Sequence, residues 1–219
     1  MGQKNKLDFL NKTPLIPLVF LTVMSVIMYI KMGEPILILI IPFVIAYIIW
    51  FLIGRLKPIA PSKYFLTIYI GMYVTQFFHL IEEWNTGFYN AFPALWGDFF
   101  YNHPEKFTWG ITIFITGNLI MEAFWAISIL LFDKKNSFAN YNLYGFLAGM
   151  IINAIGHPLY CLYLGTHSNL QNYLNTNYNY NYHWYFPGFF TGLIHSIFAY
   201  LMWTEIKKQN LLTEKIASS

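Results

Sequence analysis

His79, Glu82 and Glu83 fall at i, i+3 and i+4 in the stretch His79-Leu-Ile-Glu-Glu-Trp84. On a helix that spacing puts one imidazole and two carboxylates on a single face. Imidazole nitrogen and carboxylate oxygen are the ligands a divalent ion such as zinc takes, with one position left for water. In H-x-x-E-H metal sites the outer pair ligates and the middle Glu is the general base. Here Glu83 stands in place of the last His. The analogy makes His79 and Glu83 metal ligands and Glu82 the base. Adjacent carboxylates in low dielectric also repel unless a cation compensates them.

Three further pairs repeat the i, i+4 spacing downstream: Asn118 with Glu122, Asn153 with His157, and Thr191 with His195. Each pair shares a helical face. His157 is expected to complete the metal shell, with His195 as a further ligand. Glu122 is expected either to ligate or to act in catalysis. Asn153 and Asn118 are expected to orient ligands or a substrate carbonyl. His103, His167 and His183 fall in or beside loops and are expected to be surface groups.

Taken singly, each feature has a plainer reading. The motif serves equally as a wet helix end, Glu122 as a protonated carboxyl bonded to Asn118, and either histidine as a packed core residue. Their joint depth and facing favour one functional polar site, because ionisable groups at membrane depth are costly and rarely idle.

The elements that position these groups are membrane-like. Of 219 residues, 57% are hydrophobic and 11% charged, where a soluble domain carries ~25% charged. The expected fold is an all-α polytopic helical bundle with six spans at about 14–30, 35–53, 64–83, 108–132, 141–164 and 186–206. The first run follows Lys4, Lys6 and Lys12 like a signal peptide, but no small-residue cleavage site follows, so it reads as a retained helix. Eleven of the thirteen Lys and Arg fall on one side of such a bundle, leaving Lys31 and Lys106 on the other. The positive-inside rule then places both termini in the cytoplasm. The single cysteine, Cys161, excludes an internal disulfide. The composition offers no basic patch for nucleic acid. The expected location is a bacterial plasma membrane, and the expected partners are the bilayer and a small apolar or lipid-like substrate.

Depth follows from position at ~1.5 Å per residue: His79 lies ~6 Å from the outer end of its span, His157 and His195 ~10–14 Å, and Asn118, Glu122 and Asn153 ~15–21 Å. The inner halves of the fourth and fifth spans carry no His, Asp, Glu, Lys or Arg. A polar pocket open outward and closed below is expected. Gly145, Ala148, Gly149 and Gly156 should bring the fifth span close to its neighbours, as should Gly188, Gly192, Ser196 and Ala199 in the sixth. Pro158 should kink the fifth span beside His157. The loops 84–108 and 165–186 read either as aromatic belts at the interface or as lids over the pocket.

The motif His79-Leu-Ile-Glu-Glu83, followed by Asn153-x-x-x-His157 in a small multi-span chain, resembles the HXXEE-domain family of membrane proteins. The resemblance covers about residues 70–206 and implies enzymatic activity without a stated reaction. It divides the chain into an N-terminal pair of spans (1–60), a four-helix domain (61–208) and a cytoplasmic tail (209–219). The function expected is that of a metal-dependent hydrolase or lipid-modifying enzyme, in which a water activated by zinc and Glu82 attacks an ester or amide. Two rivals stand beside it: a metal-free isomerase shuttling protons through His79, Glu82 and Glu122, and a non-enzymatic receptor or transporter.

Overall fold

The computed structural model describes residues 15–33, 36–54, 59, 61–86, 88, 103–132, 136–166, 172 and 188–218. Among these it forms six α-helices and no strand. They are α1 (Leu15–Met32), α2 (Ile36–Ile49), α3 (Lys63–Asn85), α4 (Pro104–Leu131), α5 (Ser137–Thr166) and α6 (Phe189–Ser218), with a single π-helical turn, Trp50–Gly54, closing α2. The first five helices follow the expected spans within a few residues, because each apolar run is bounded by polar or helix-breaking residues, whereas α6 runs on to Ser218, well past residue 206. Three segments, Lys63–Asn85, Ile111–Leu131 and Phe189–Leu211, are long and apolar enough to cross a membrane.

Local chemistry explains several ends. Ser62 caps α3, its hydroxyl accepting the Phe65 N–H at 3.0 Å. Pro104 opens α4, where a missing N–H costs nothing. The π turn was not anticipated. It buries Trp50 and Gly54, and the Gly54 carbonyl accepts from Asn140 Nδ2 at 2.6 Å. A side chain from α5 thus satisfies a backbone group at the end of α2.

Helix α5 is the hub, packing against α6, α4 and α2; α3 lies against α6 and α4, and α1 against α2 and α4. The core on the side remote from the motif is aromatic. Trp125 stacks on Phe146 with centroids 4.1 Å apart, and Tyr69 meets Phe146 and Phe132 edge to face. Some of its polar groups are bonded: Asn142 donates to Ser128 Oγ at 3.0 Å, and Ser62 to Glu205 at 3.4 Å. Large apolar side chains are exposed around the bundle, among them Leu119, Leu130, Leu162 and Tyr200. A water-soluble monomer avoids so continuous an apolar surface.

Two expectations need correction. Ser196 does not face inward; it is exposed and bonds its own helix at Leu193 O. Gly156 borders open space rather than a neighbouring helix. Helix α5 runs on through Pro158. The loops considered as lids, with His167, His183 and most of 84–108, lie outside the described residues, as do the N-terminal lysines and Lys134 and Lys135.

Candidate metal centre

The last two turns of α3 carry the motif into the bundle. His79 is 1% exposed and Glu83 4%. Glu83 Oε1 lies 3.3 Å from His79 Nε2 and 3.5 Å from His157 Nε2 of α5. One ligand atom from each of these three side chains lies within 4.8 Å of the other two, so the group could hold a metal ion. A tetrahedral ion with bonds of ~2.1 Å spaces its donors by roughly 3.4 Å, close to both carboxylate–imidazole separations. The two imidazoles meet edge to face, with centroids 4.7 Å apart. A carboxylate buried this deeply requires a positive partner at hand.

Thr191 of α6 sets the chemistry of His79. Its Oγ lies 2.7 Å from Glu82 Oε2 and 2.7 Å from His79 Nδ1. The hydroxyl donates to the carboxylate and therefore accepts from Nδ1–H. This leaves His79 Nε2 bare and turned toward Glu83 and His157, the tautomer a metal ligand needs. A longer contact from Thr191 Oγ to Gly188 O, at 3.3 Å, is secondary. Glu82 Oε1 accepts the Gly188 N–H at 3.0 Å. Both oxygens of Glu82 are thus engaged at the N-terminus of α6, where a carboxylate is favoured by unpaired N–H groups. Glu82, expected as the base, sits where it orients His79 through Thr191.

Two glycines of α6 make this approach possible. Gly188 has φ +83°, and a Cβ there would stand 2.5 Å from Cε1 of both His79 and His157. At Gly192, one turn on, a Cβ would stand 2.8 Å from the Asn153 carbonyl oxygen. The backbone of α6 therefore lies directly against the two imidazoles and against α5.

A second polar level lies one turn away from the centre. Asn153 Nδ2 donates to Gln76 Oε1 at 3.2 Å. Gln76 precedes His79 by three residues and Asn153 precedes His157 by four, which sets the pair ~5 Å along the helices. Asn153, expected to be catalytic, is thus near the centre and held by an amide partner. Gln76, 3% exposed, was missed. Its i−3 spacing from His79 was the available signal, but a neutral amide drew no notice beside ionisable groups.

The remaining expected residues are placed differently. His195 is fully buried with its ring 4.9 Å from that of His79, outside the three-residue ligand group. The Thr75 main chain faces it, yet neither ring nitrogen has a well-formed hydrogen bond among the described residues. Glu122 is not in the three-residue ligand group, and neither carboxylate oxygen finds a hydrogen-bond partner among the described residues. Asn118 turns back onto its own helix, donating to Phe114 O at 2.9 Å. Equal depth was legible in the spacing, but which way α4 is rotated was not. No family model matches the chain, and no curated protein or solved structure matches it.

Proposed function

We propose that this chain is a multi-pass integral membrane enzyme whose centre, His79, Glu83 and His157, holds a divalent ion, zinc by its ligand chemistry, and hydrolyses or otherwise modifies an apolar or lipid-like substrate. The observation that carries this reading is the convergence of two imidazole nitrogens on one carboxylate oxygen at 3.3 and 3.5 Å, all three side chains being buried. Nitrogen and oxygen donors at these separations match the site type in which one coordination position stays open for chemistry. When bound, such an ion polarises a carbonyl and activates water.

The chain's own residues divide the remaining work. Glu82 and Thr191 hold His79 in the tautomer that presents Nε2. His195, its ring tilted against that of His79 at 4.9 Å, is placed to take a proton during the reaction. Asn153, held by Gln76, presents an amide one turn away, where it can orient a substrate carbonyl.

The reading includes six spans with both termini cytoplasmic, supported by the Lys and Arg asymmetry and by three helices of spanning length and composition. It places the centre toward the outer leaflet. It also includes membership of the HXXEE-domain family, supported by His79-x-x-Glu82-Glu83 with Asn153 and His157.

Metal analysis of the purified protein tests the centre. Wild type should carry about one ion per chain, and His79→Ala and His157→Ala should carry none. Hydrolysis of a panel of lipid esters and amides should stop on chelation and return on adding zinc. A wild-type protein without stoichiometric metal, whose activity ignores chelators, sinks the reading.

A further inference from the structure

Outside the centre, a cavity of about 260 Å³ lies between α1, α2, α4 and α5. Its lining runs along α5 from Phe138 to Asn153 and along α4 from Ile113 to Trp125. At ~1.5 Å per residue the α5 wall is ~22 Å long, so the cavity is slender. Almost all of that wall is apolar, with Met24 of α1, Phe43 of α2 and Met121 of α4 typical of it. Gln76 is the residue α3 contributes, and it lies at the same end as Asn153. These are the two amides bonded to each other one turn from His79 and His157. The cavity therefore ends in amides at the threshold of the metal centre.

Of its other polar lining groups, Asn118 and Asn142 donate to Phe114 O and Ser128 Oγ, and Ser25 and Tyr141 complete the set. An apolar space of this size is poorly suited to water, which needs two to four polar partners per molecule. Left empty it costs dispersion contacts along its whole length. Hydrocarbon is the filling that fits, and the bilayer supplies it. The volume suits one chain and not two, and ~22 Å exceeds the ~15 Å of hydrocarbon in one leaflet. One extended long chain is therefore accommodated.

We propose that this cavity binds the single hydrocarbon chain of an amphiphilic substrate, whose polar group lies against Gln76 and Asn153 beside the metal centre. Helices α1 and α2 then have a role: they complete the chamber wall that α4 and α5 leave open. Describing the occupant as substrate rests on the reading of the centre given above; the chamber itself rests on its lining and shape.

The test is photolabelling with a diazirine-tagged long-chain fatty acid, applied to the full-length protein in detergent and mapped by mass spectrometry. Wild type should be labelled on chamber residues such as Met24, Phe43 and Met121. Gly117 lines the chamber and a Cβ there meets none of the described atoms within 4 Å, so Gly117→Phe should project into the space. It should reduce chamber labelling about tenfold, the loss expected from overpacking a site by one to a few kcal/mol. It should leave the metal content unchanged. Ser25→Leu on α1 is a second filling variant, used if Gly117→Phe does not fold. Labels confined to the outer faces of the helices, or chamber labelling unaffected by both variants, overturn the proposal. Chamber labelling in a protein that holds no metal supports the chamber while sinking the metal centre; stoichiometric metal without chamber labelling does the reverse.

Discussion

Thr191 Oγ stands 2.7 Å from His79 Nδ1, and through this contact α6 decides which nitrogen α3 offers to the centre. The hydroxyl also reaches Glu82 at 2.7 Å, so the three groups form a relay that ends on the bare Nε2 of His79. Removing the relay should free the ring to rotate and to change tautomer. Thr191→Val should weaken metal binding by about 10–100-fold, as loss of an outer partner does at other metal-bound histidines. Thr191→Ser, which keeps the hydroxyl, should bind nearly as wild type. Competition against a calibrated zinc chelator measures both.

The ligands themselves should separate cleanly from the buried carboxylate that lies elsewhere. Glu83→Gln keeps the shape but gives up the charge that faces both imidazoles, and it should abolish stoichiometric metal. Glu122→Gln should retain the ion, because Glu122 lies outside the three-residue ligand group. Elemental analysis of the two purified variants decides this. Metal loss in Glu122→Gln with the fold intact would put Glu122 back in the centre.

Gly188 carries a steric demand that no other residue meets. With φ at +83° and both imidazoles 2.5 Å from where a Cβ would sit, Gly188→Ala combines backbone strain with a collision. Strain of this kind costs ~1–3 kcal/mol before the collision is added. The variant should unfold at a lower temperature in detergent and should lose metal, since its Cβ pushes apart the two rings that ligate. A thermal melt indistinguishable from wild type would contradict the close approach of α6.

The topology has its own check. In a Cys161→Ser background, Lys106→Cys should react with a membrane-impermeant maleimide added to intact spheroplasts, and Lys208→Cys only after permeabilisation. The reverse pattern would turn the centre toward the cytoplasm. Reaction at both positions would mean an even number of spans between them.

Much of this arrangement is local and therefore readable along the chain. Lengths of apolar runs and their polar boundaries define helices, because backbone hydrogen bonds close within four residues and apolar faces follow a fixed period. On the same grounds His79, Glu82 and Glu83 share a face, and Asn153 lies one turn from His157. Which faces meet is another matter. Spacing paired Thr191 with His195 on one helix, yet its hydroxyl serves His79 on another. Glu82 looked like a base beside a ligand; the N–H of Gly188, more than a hundred residues away, engages it instead. Asn118 and Glu122 share a face of α4, yet Asn118 bonds its own helix and Glu122 stands outside the ligand group, and Gln76 had no charge to draw attention.

The sequence by itself determined an all-helical chain with spanning-length apolar helices and the set of His, Glu and Asn side chains from which a centre could be drawn. Only the tertiary structure decided that His79, Glu83 and His157 converge while Glu122 does not, that Glu82 buttresses through Thr191, and that α1 and α2 help wall a slender apolar chamber. The physical reason is that periodicity constrains each helix about its own axis. The mutual rotation and approach of helices depend on close contacts such as the seats at Gly188 and Gly192, which exist only once distant segments are packed together.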